Sequence, residues 1–422
     1  MLHIGKLDSC LLIIYMHLVL LFVFVVLLYL NGGVFALNTI QPIFSFELPT
    51  RIVFGLGSSK NLFEEMKALN VSRPLIVTDK GVVDAGILDK VLSGLPADVK
   101  YHVFSDVDPN PKDINVSAGA ESYREFSADS IVAIGGGSPI DCAKAIGVLA
   151  ANNAKDIKAY EGKNVPSKPL PPLICLPTTS GTGSEVTFSS VINDTKENYK
   201  MTIKNPYTAP KTAICDAYLT LSVPASVTAA TGVDALTHAI EAFTVTCAEP
   251  ISDAVALYAI ELIYRNLKPA FEDGSNLEAR NNMLMGSMLA GIAFSHSDVA
   301  SVHCIAESLG GMYDLPHGMC NAIFLPYVME YNMDYCEGRY ARIARAMGLS
   351  YNSDKEGAKA VVEAVKQLAK DVLLPPFSSF NIDPADYRKI AAASAKNIST
   401  ESNPRPMKED DYMAVLKMAQ KG

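Results

Sequence analysis

Four side chains in the second half of the sequence have the types and the spacing to hold a divalent metal ion. Asp234 and His238 are four residues apart, so they share one face if the segment is helical. His303 and His317 are fourteen residues apart. A single histidine is more often a hydrogen-bonded core or surface residue than a ligand. One carboxylate and three imidazoles together suit one divalent cation, provided that the fold joins the two segments.

A glycine-rich loop at residues 135–139 has the features of an anion-binding turn. It follows an apolar run and precedes a helical pattern, and it contains Gly135, Gly136, Gly137 and Ser138. We expect Ser138 to cap the helix and Pro139 to fit its first turn, so that free amides and the helix dipole face an anion. The alternative is an ordinary strand-to-helix turn. The loop is not the GxGxxG fingerprint.

A second small loop at residues 177–185 is rich in hydroxyl groups. Thr178, Thr179 and Thr182 offer hydroxyl and amide donors to a polyanionic ligand. A flexible surface linker is the alternative, but a β-prone stretch resumes at Val186. Asp79 follows an earlier apolar run and is placed to accept from ribose hydroxyls and to repel a 2'-phosphate. A turn-forming role is more common for a lone aspartate after a strand.

The elements that carry these residues fall into two classes. Short apolar runs separated by helical periodicity predict parallel strands with helices on both faces, at residues 74–78, 99–104, 130–134, 173–176 and 212–215. A helix is predicted between the first two runs, at 81–92. After about residue 221 the sequence predicts only helices, at 229–246, 252–267, 277–294, 300–309, 338–347 and 356–373. Ser275 and Glu278 predict a capping box for the third of these.

Composition excludes some classes of protein. Among 422 residues, 49% are hydrophobic and 19% are charged, which is typical of a globular protein with a large core. A net charge of -9 disfavours a surface that follows nucleic-acid phosphates, so no nucleic-acid partner is expected. The eight cysteines form no CxxC pair, which indicates free thiols in a reduced compartment and a cytoplasmic location.

The N-terminal segment is a separate question. Residues 11–30 form an almost uncharged apolar run that is long enough to span a bilayer. A signal peptide, an uncleaved membrane anchor and translation from upstream of the true start are three interpretations. The apolar run is longer than a usual signal sequence, which disfavours the first. Membrane association is therefore expected only if residues 11–30 are retained, and residues 1–38 are excluded from the fold prediction.

Four motifs in order resemble the iron-containing alcohol dehydrogenase family. They are GGGSPIDCAKAIG at 135–147, PTTSGTGSEVT at 177–187, GVDALTHAIEAF at 232–243, and the 303–317 stretch with GMCNAIFLPYVMEYN after it. The resemblance extends from about Phe44 to residues 403–406. Four motifs together are far more specific than any one of them.

The resemblance implies a fold and an activity. The fold would be an N-terminal NAD(P)-binding α/β domain at 39–220, with a parallel, Rossmann-like sheet that lacks GxGxxG. An all-helical metal-binding domain at 221–422 would follow, as in the dehydroquinate synthase-like superfamily. The activity would be reversible hydride transfer between an alcohol, or its aldehyde or ketone, and NAD(P). Fe(II) is the expected metal with Zn(II) as the alternative, and Asp79 favours NAD over NADP.

The resemblance also assigns residues. The metal ligands would be Asp234, His238, His303 and His317. The cofactor residues would be Asp79, Gly135, Gly136, Gly137, Ser138, Asp141, Thr178, Thr179 and Thr182. Phe294 matches an aromatic residue that borders the substrate pocket. Glu307 replaces a histidine that many members place near the nicotinamide, and its expected role is fifth ligand, acceptor for a ligand's hydrogen bond, or proton relay. His296 matches no ligand position.

Other interpretations remain at this point. A glycerol-dehydrogenase-like zinc enzyme acting on polyols is the nearest. A lyase similar to dehydroquinate synthase would need additional basic residues that bind phosphate. A membrane-anchored, non-enzymatic protein that binds metal or nucleotide belongs to another class. A homodimer is the expected assembly.

Overall fold

The computed structural model of the chain describes residues 43–421. The apolar run at residues 11–30, and residues 1–38 as a whole, lie outside this range. Within the range, no helix combines the length and the apolar character that a bilayer-spanning segment needs. The cysteines of the range, from Cys142 to Cys336, are all free thiols, and Cys247 is exposed.

The first half of the described chain is built on a parallel sheet. The strands of the described chain, all in this half, are β1 (Arg51–Phe54), β2 (Pro74–Val77), β3 (His102–Phe104), β4 (Ser130–Gly135), β5 (Gly162–Lys163), β6 (Leu173–Pro177), β7 (Ser189–Asp194), β8 (Tyr199–Lys204) and β9 (Thr212–Cys215). Six of them form one sheet in the order β1-β9-β6-β4-β2-β3, with every neighbouring pair parallel. The predicted parallel sheet is confirmed, although β3 is shorter than predicted.

The buried strands show why the apolar runs are continuous. All six residues of β4 are buried. Along β4, Ile131 and Ala133 pack into one apolar cluster, whereas Val132 and Ile134 pack into another. Successive side chains of a strand point to opposite faces, so the two clusters cover the two faces of the sheet. A strand covered on both faces has no polar side to alternate with.

Helices surround the sheet and form the second half. They are α1 (Leu62–Ala68), α2 (Lys80–Asp84), α3 (Ile87–Leu92), α4 (Asp113–Glu125), α5 (Gly137–Asn152), α6 (Ala225–Thr244), α7 (Pro250–Glu272), α8 (Leu277–His296), α9 (Ser301–Tyr313), α10 (His317–Ala346), α11 (Asp354–Asp371), α12 (Tyr387–Lys396) and α13 (Glu409–Lys421). From α6 onward the described residues contain no strand, and one large apolar cluster fills the space between these helices.

Three predictions about helices need correction. The helix predicted at 81–92 is two helices, α2 and α3, separated at Gly86, whose φ of 68° is left-handed. The helix predicted at 338–347 is the end of α10, which begins at His317 and continues through Pro326. The prediction missed residues 317–337 of this helix, which include Pro326, a residue type that usually breaks a helix because it has no N–H and crowds the preceding turn. The predicted capping box of Ser275 and Glu278 is wrong. Asn276 caps α8 instead, and its side chain accepts from the Ala279 amide at 3.0 Å.

A second, three-stranded sheet was not predicted as such. β7 and β8 form an antiparallel hairpin, and β5 adds to it in the order β5-β8-β7. The hairpin packs against α9 at Gly310 and Gly311. A Cβ atom would lie 2.6 Å from the Lys200 side chain at the first and 2.8 Å from the Tyr199 backbone at the second. This close approach brings Lys200 beside the helix that carries His303.

Candidate functional site

Three helices bring the four predicted metal ligands together. Asp234 and His238 lie one turn apart on α6, His303 lies near the start of α9, and His317 is the first residue of α10. One ligand-type atom of each side chain lies within 4.8 Å of all the others. The first three residues are buried and His317 is partly buried. Asp234 and His238 are neighbours because of helical spacing, whereas His303 and His317 come together because α9 packs against α10.

The unpaired atoms of this cluster fit a metal ion. Nδ1 of His238, Nε2 of His303 and Nδ1 of His317 are buried and have no hydrogen-bond partner among the described residues. A buried polar atom without a partner is costly, and a cation at the centre of the cluster would satisfy all three. One carboxylate and three imidazoles are ligands that first-row divalent metals accept.

Glu241 orients one of the imidazoles. Its Oε2 accepts from Nδ1 of His303 at 2.5 Å and from the Ala300 amide at 2.9 Å, while its Oε1 accepts from the Val302 amide at 2.8 Å. The carboxylate therefore holds the start of α9 and leaves Nε2 of His303 as the free ring nitrogen. Carboxylates that orient ligand histidines in this way are common at metal sites.

The protonation states of two of the imidazoles also suit metal binding. Burial lowers the pKa of His238 and His317 well below the usual value, so both imidazoles are neutral. Burial also acts to lower the pKa of His303, but the Glu241 carboxylate outweighs it and raises that pKa. Burial raises the pKa of Asp234, and Asn321 donates to its Oδ1 at 2.7 Å. Neutral imidazole is the ligand form of histidine.

The two predicted cofactor loops meet at the start of α5. A Cβ atom at Gly136 would lie 3.0 Å from Oγ1 of Thr179, and one at Gly137 would lie 2.6 Å from Cγ2 of Thr182. Any larger residue at position 137 would therefore displace the loop at residues 177–185, called the threonine loop below. The loops form one cradle at the carboxyl ends of β4 and β6, where ligands bind in open parallel sheets. Thr178 is buried beside it.

Three predicted cofactor residues have specific local roles. Ser138 does not cap α5, because the cap position is Gly136 and Ser138 already lies inside the helix. The Asp141 carboxylate accepts from Oγ of Ser184 at 2.5 Å and from the Val191 amide at 3.0 Å, so protein donors occupy it. Asp79 caps α2, with its Oδ1 accepting from the Val82 amide at 2.9 Å.

Comparison with known proteins identifies the family. The profile described as "Iron-containing alcohol dehydrogenase" matches residues 49–217, and "Fe-containing alcohol dehydrogenase family, C-terminal" matches residues 228–420. The chain belongs to the iron-containing alcohol dehydrogenase family. It is therefore a metal-dependent oxidoreductase of alcohols or aldehydes. The comparisons do not support a polyol-specific zinc enzyme, a lyase or a non-enzymatic binding protein.

Relatives of this alcohol dehydrogenase align over almost their whole length. A 1,3-propanediol dehydrogenase of Citrobacter freundii is 40% identical over 382 residues, which are 89% of this chain and 98% of the relative. A choline dehydrogenase of Bacillus subtilis is 40% identical over 385 residues, 90% and 96% of the two chains. The crystal structure of a 1,3-propanediol oxidoreductase is 38% identical, with a TM-score of 0.87 over 90% of this chain and 100% of that one.

Glu307 is the position where this alcohol dehydrogenase differs from the pattern expected of many members. It lies one turn after His303 on α9 and is not part of the four-residue cluster. Its Oε2 accepts from Asn397 at 2.6 Å, and its carboxyl lines a pocket of about 310 Å³ together with Lys200. Burial raises the pKa of Glu307.

The ring contacts of Phe294 and His296 show that the two side chains have different roles. The Phe294 ring stacks on His238, with centroids 4.5 Å apart, so it borders the metal cluster. His296 points elsewhere. It stacks on Phe46 at 3.8 Å and contacts the carbonyls of Ile292 and Glu47, each at 2.7 Å. His296 therefore has a structural role outside the cluster.

Proposed function

We propose that Asp234, His238, His303 and His317 hold one divalent cation, Fe(II) with Zn(II) as the alternative. The observation that carries this proposal is the convergence of four ligand-type side chains, among which each of the three histidines has a buried ring nitrogen without a partner in the described part of the chain. Zn(II) binds most nitrogen and oxygen sites more tightly than Fe(II), so affinity alone would favour Zn(II). The metal that is bound in the cell therefore depends on metal availability. When bound, such a cation supplies a Lewis acid that polarises an alcohol or carbonyl oxygen.

The chain's own residues prepare this site. Glu241 keeps the proton of His303 on Nδ1, which leaves Nε2 directed at the cluster. Asn321 holds one oxygen of Asp234 through its amide. Phe294 covers one face of His238 and excludes water from it. Fixed ligands in a partly closed site favour one defined orientation of the reacting groups.

We propose NAD as the hydride carrier, bound in the cradle formed by the two loops. Gly135, Gly136, Gly137 and Ser138 would meet the pyrophosphate at the start of α5, where free amides face outward. Thr178, Thr179 and Thr182 would line the cofactor, and Asp141 would act indirectly by holding Ser184. The preference for NAD over NADP rests on the partly exposed carboxylate of Asp79, which would repel a 2'-phosphate.

The substrate would be a small alcohol or its aldehyde. The relatives are named for 1,3-propanediol, choline and lactaldehyde, so the family name alone does not choose one. We propose Glu307 and Phe294 as residues that border the substrate. The informative experiment is a panel of short alcohols, diols and aldehydes with NAD and NADP, after reconstitution with Fe(II) or Zn(II) under anaerobic conditions.

The ligand assignment has a direct test in His303→Ala. We expect this variant to lose both stoichiometric metal and turnover, because it removes one ligand and the imidazole partner of Glu241. A variant that keeps full turnover would refute the ligand set. Thr50→Val serves as a control, since Thr50 is buried in the first half and its hydroxyl donates to the Pro210 carbonyl, away from the cluster.

Three further expectations belong to the same proposal. We propose a division of the chain at residues 220 and 221, a homodimer, and a cytoplasmic location supported by the free thiols. Limited proteolysis tests the first, and sedimentation of the native protein tests the second. N-terminal sequencing after cell fractionation tests the third, because intact soluble protein that begins near residue 38 would exclude a membrane anchor.

A further inference from the structure

Lys144 is a fully buried cation that neither the metal cluster nor the proposed cofactor contacts account for. It lies in the middle of α5 with none of its surface exposed. Its ammonium donates to Oγ of Ser184 at 3.0 Å, to Oγ1 and O of Thr187 at 2.9 and 3.1 Å, and to O of Ser189 at 2.8 Å. Burying an ammonium is costly, so its partners must be held in place for it to remain charged.

The acceptors of Lys144 lie near the end of the 177–185 loop, at Ser184, and in the segment that directly follows it, at Thr187 and Ser189. Asp141, one turn earlier on α5, holds the same segment by accepting from Ser184 and from the Val191 amide. The Ser190 hydroxyl also donates to the Asp141 carbonyl at 2.8 Å. One face of α5 therefore anchors residues 184–191 through charged and neutral hydrogen bonds.

The N-terminal end of α5, one turn before Asp141, forms part of the cofactor cradle. α5 begins at Gly137, which packs against Thr182 so closely that a Cβ would lie 2.6 Å from the threonine methyl. Thr182 in turn accepts from the Ser184 amide at 3.2 Å. The helix that presents its N-terminus to the cradle thus also fixes the loop on the other side of the cradle.

We propose that Lys144 is a positioning residue that sets the spacing between the α5 N-terminus and the threonine loop, and thereby the affinity for the dinucleotide. This inference rests on the proposed NAD cradle. Lys144 acts through Ser184 and Thr187 and does not touch the cofactor itself. It is also not one of the residues of the metal cluster.

The test is Lys144→Met, which keeps the length of the side chain and removes its charge and donors. Titration of NADH fluorescence on the metal-loaded enzyme gives the dissociation constant, and steady-state kinetics give KM for both substrates. We expect about a tenfold or larger rise in Kd and in KM for the nucleotide, because several hydrogen bonds to a charged group are lost. Metal stoichiometry and KM for the alcohol should stay near the wild-type values.

Thr50→Val is the matched control, because it removes a buried hydrogen bond of the α/β half that lies away from the cradle. It should lower Tm with no change in Kd. If Lys144→Met lowers Tm in the same way and leaves the nucleotide Kd within about twofold of wild type, the residue is merely structural and the inference is overturned. Wild-type protein that binds neither NADH nor NADPH would instead refute the proposed function.

Ser184→Ala keeps the inference testable if Lys144→Met does not fold. This smaller change removes the hydroxyl that donates to Asp141 and accepts from Lys144. We expect about a threefold rise in the nucleotide Kd with metal content unchanged. An unchanged Kd in folded Ser184→Ala protein would overturn the inference as well.

Discussion

Glu241 and His303 join α6 to α9 through the 2.5 Å contact between Oε2 and Nδ1. The same carboxylate accepts from two backbone amides at the start of α9, so helix position and imidazole orientation have one cause. α6 also carries Asp234 and His238. Three of the four ligand-type residues are therefore placed by a single helix and the carboxylate that projects from it.

Glu241→Gln should weaken metal binding without removing any ligand. The amide oxygen can still accept two of the three hydrogen bonds, but the NH2 group must then face the remaining donor, a backbone amide at the start of α9 or the His303 imidazole. We expect the metal affinity to fall by about 10- to 100-fold, as measured by competition with a chromophoric chelator. Glu249→Gln is the matched control, since Glu249 is also buried and accepts from the Ser252 and Ile251 amides of α7. The idea fails if both variants lose metal equally.

Gly137→Ala should damage the cofactor cradle. The added methyl group would lie 2.6 Å from Cγ2 of Thr182, so the threonine loop must move. We expect the NADH dissociation constant to rise by about tenfold or more, with full metal content. Gly147→Ala in the same helix meets only the flexible Leu170 side chain, at 3.2 Å, and should bind NADH normally. Equal NADH affinity in the two variants would contradict the cradle.

Glu185 makes the stability of the protein depend on pH. Burial raises the pKa of its carboxyl to about 7, and its Oε1 has no hydrogen-bond partner among the described residues. Between pH 4.5 and 7 the unfolded chain loses this proton while the folded chain keeps it, so folding stability falls as pH rises through that window.

The corresponding variant is Glu185→Gln, which cannot ionise. Its stability relative to wild type should rise from pH 4.5 to pH 7 and then level off, with a total gain of up to about 3 kcal/mol. Urea unfolding of both proteins at four pH values measures the difference. A difference that is the same at pH 5 and pH 8 would show that Glu185 does not titrate in this way.

Glu307→Gln separates the expected roles of Glu307. The side chain lies outside the four-residue cluster, so metal stoichiometry should be unchanged. The amide oxygen can still accept from Asn397, so the pocket should keep its shape. If Glu307 relays a proton, kcat/KM should fall by about 100-fold or more. Loss of metal from this variant would instead identify Glu307 as a fifth ligand.

The sequence predicted one pair of ligand-type residues from local information, whereas His303 and His317 could be joined to that pair only through the fold or the resemblance to the family. Asp234 and His238 share a helix face by spacing alone. Glu241 was missed, although it lies three residues after His238 in the same motif. Its role depends on where α9 begins, and that is set by tertiary packing. The one signal in the sequence was that Glu241 is acidic and lies three residues after His238, which places it near the ligand face of α6.

The remaining differences arose where local rules compete with tertiary contacts. Residues 317–337 were not predicted to be helical, but α10 runs through them and through Pro326, and it packs with the surrounding helices in one apolar cluster. Ser138 predicted a cap, but the cap position is Gly136, whose backbone lies close to the Thr179 side chain. The β7–β8 hairpin depends on contacts with α5 and α9 that lie far away in sequence.

The central claim is one divalent cation held by Asp234, His238, His303 and His317. The most direct measurement is a crystal structure of Fe(II)-reconstituted protein with anomalous differences recorded at the iron edge. The account predicts one strong peak per chain between the four side chains, in contact with Nε2 of His303. A fully reconstituted, active enzyme with its iron peak elsewhere would contradict it.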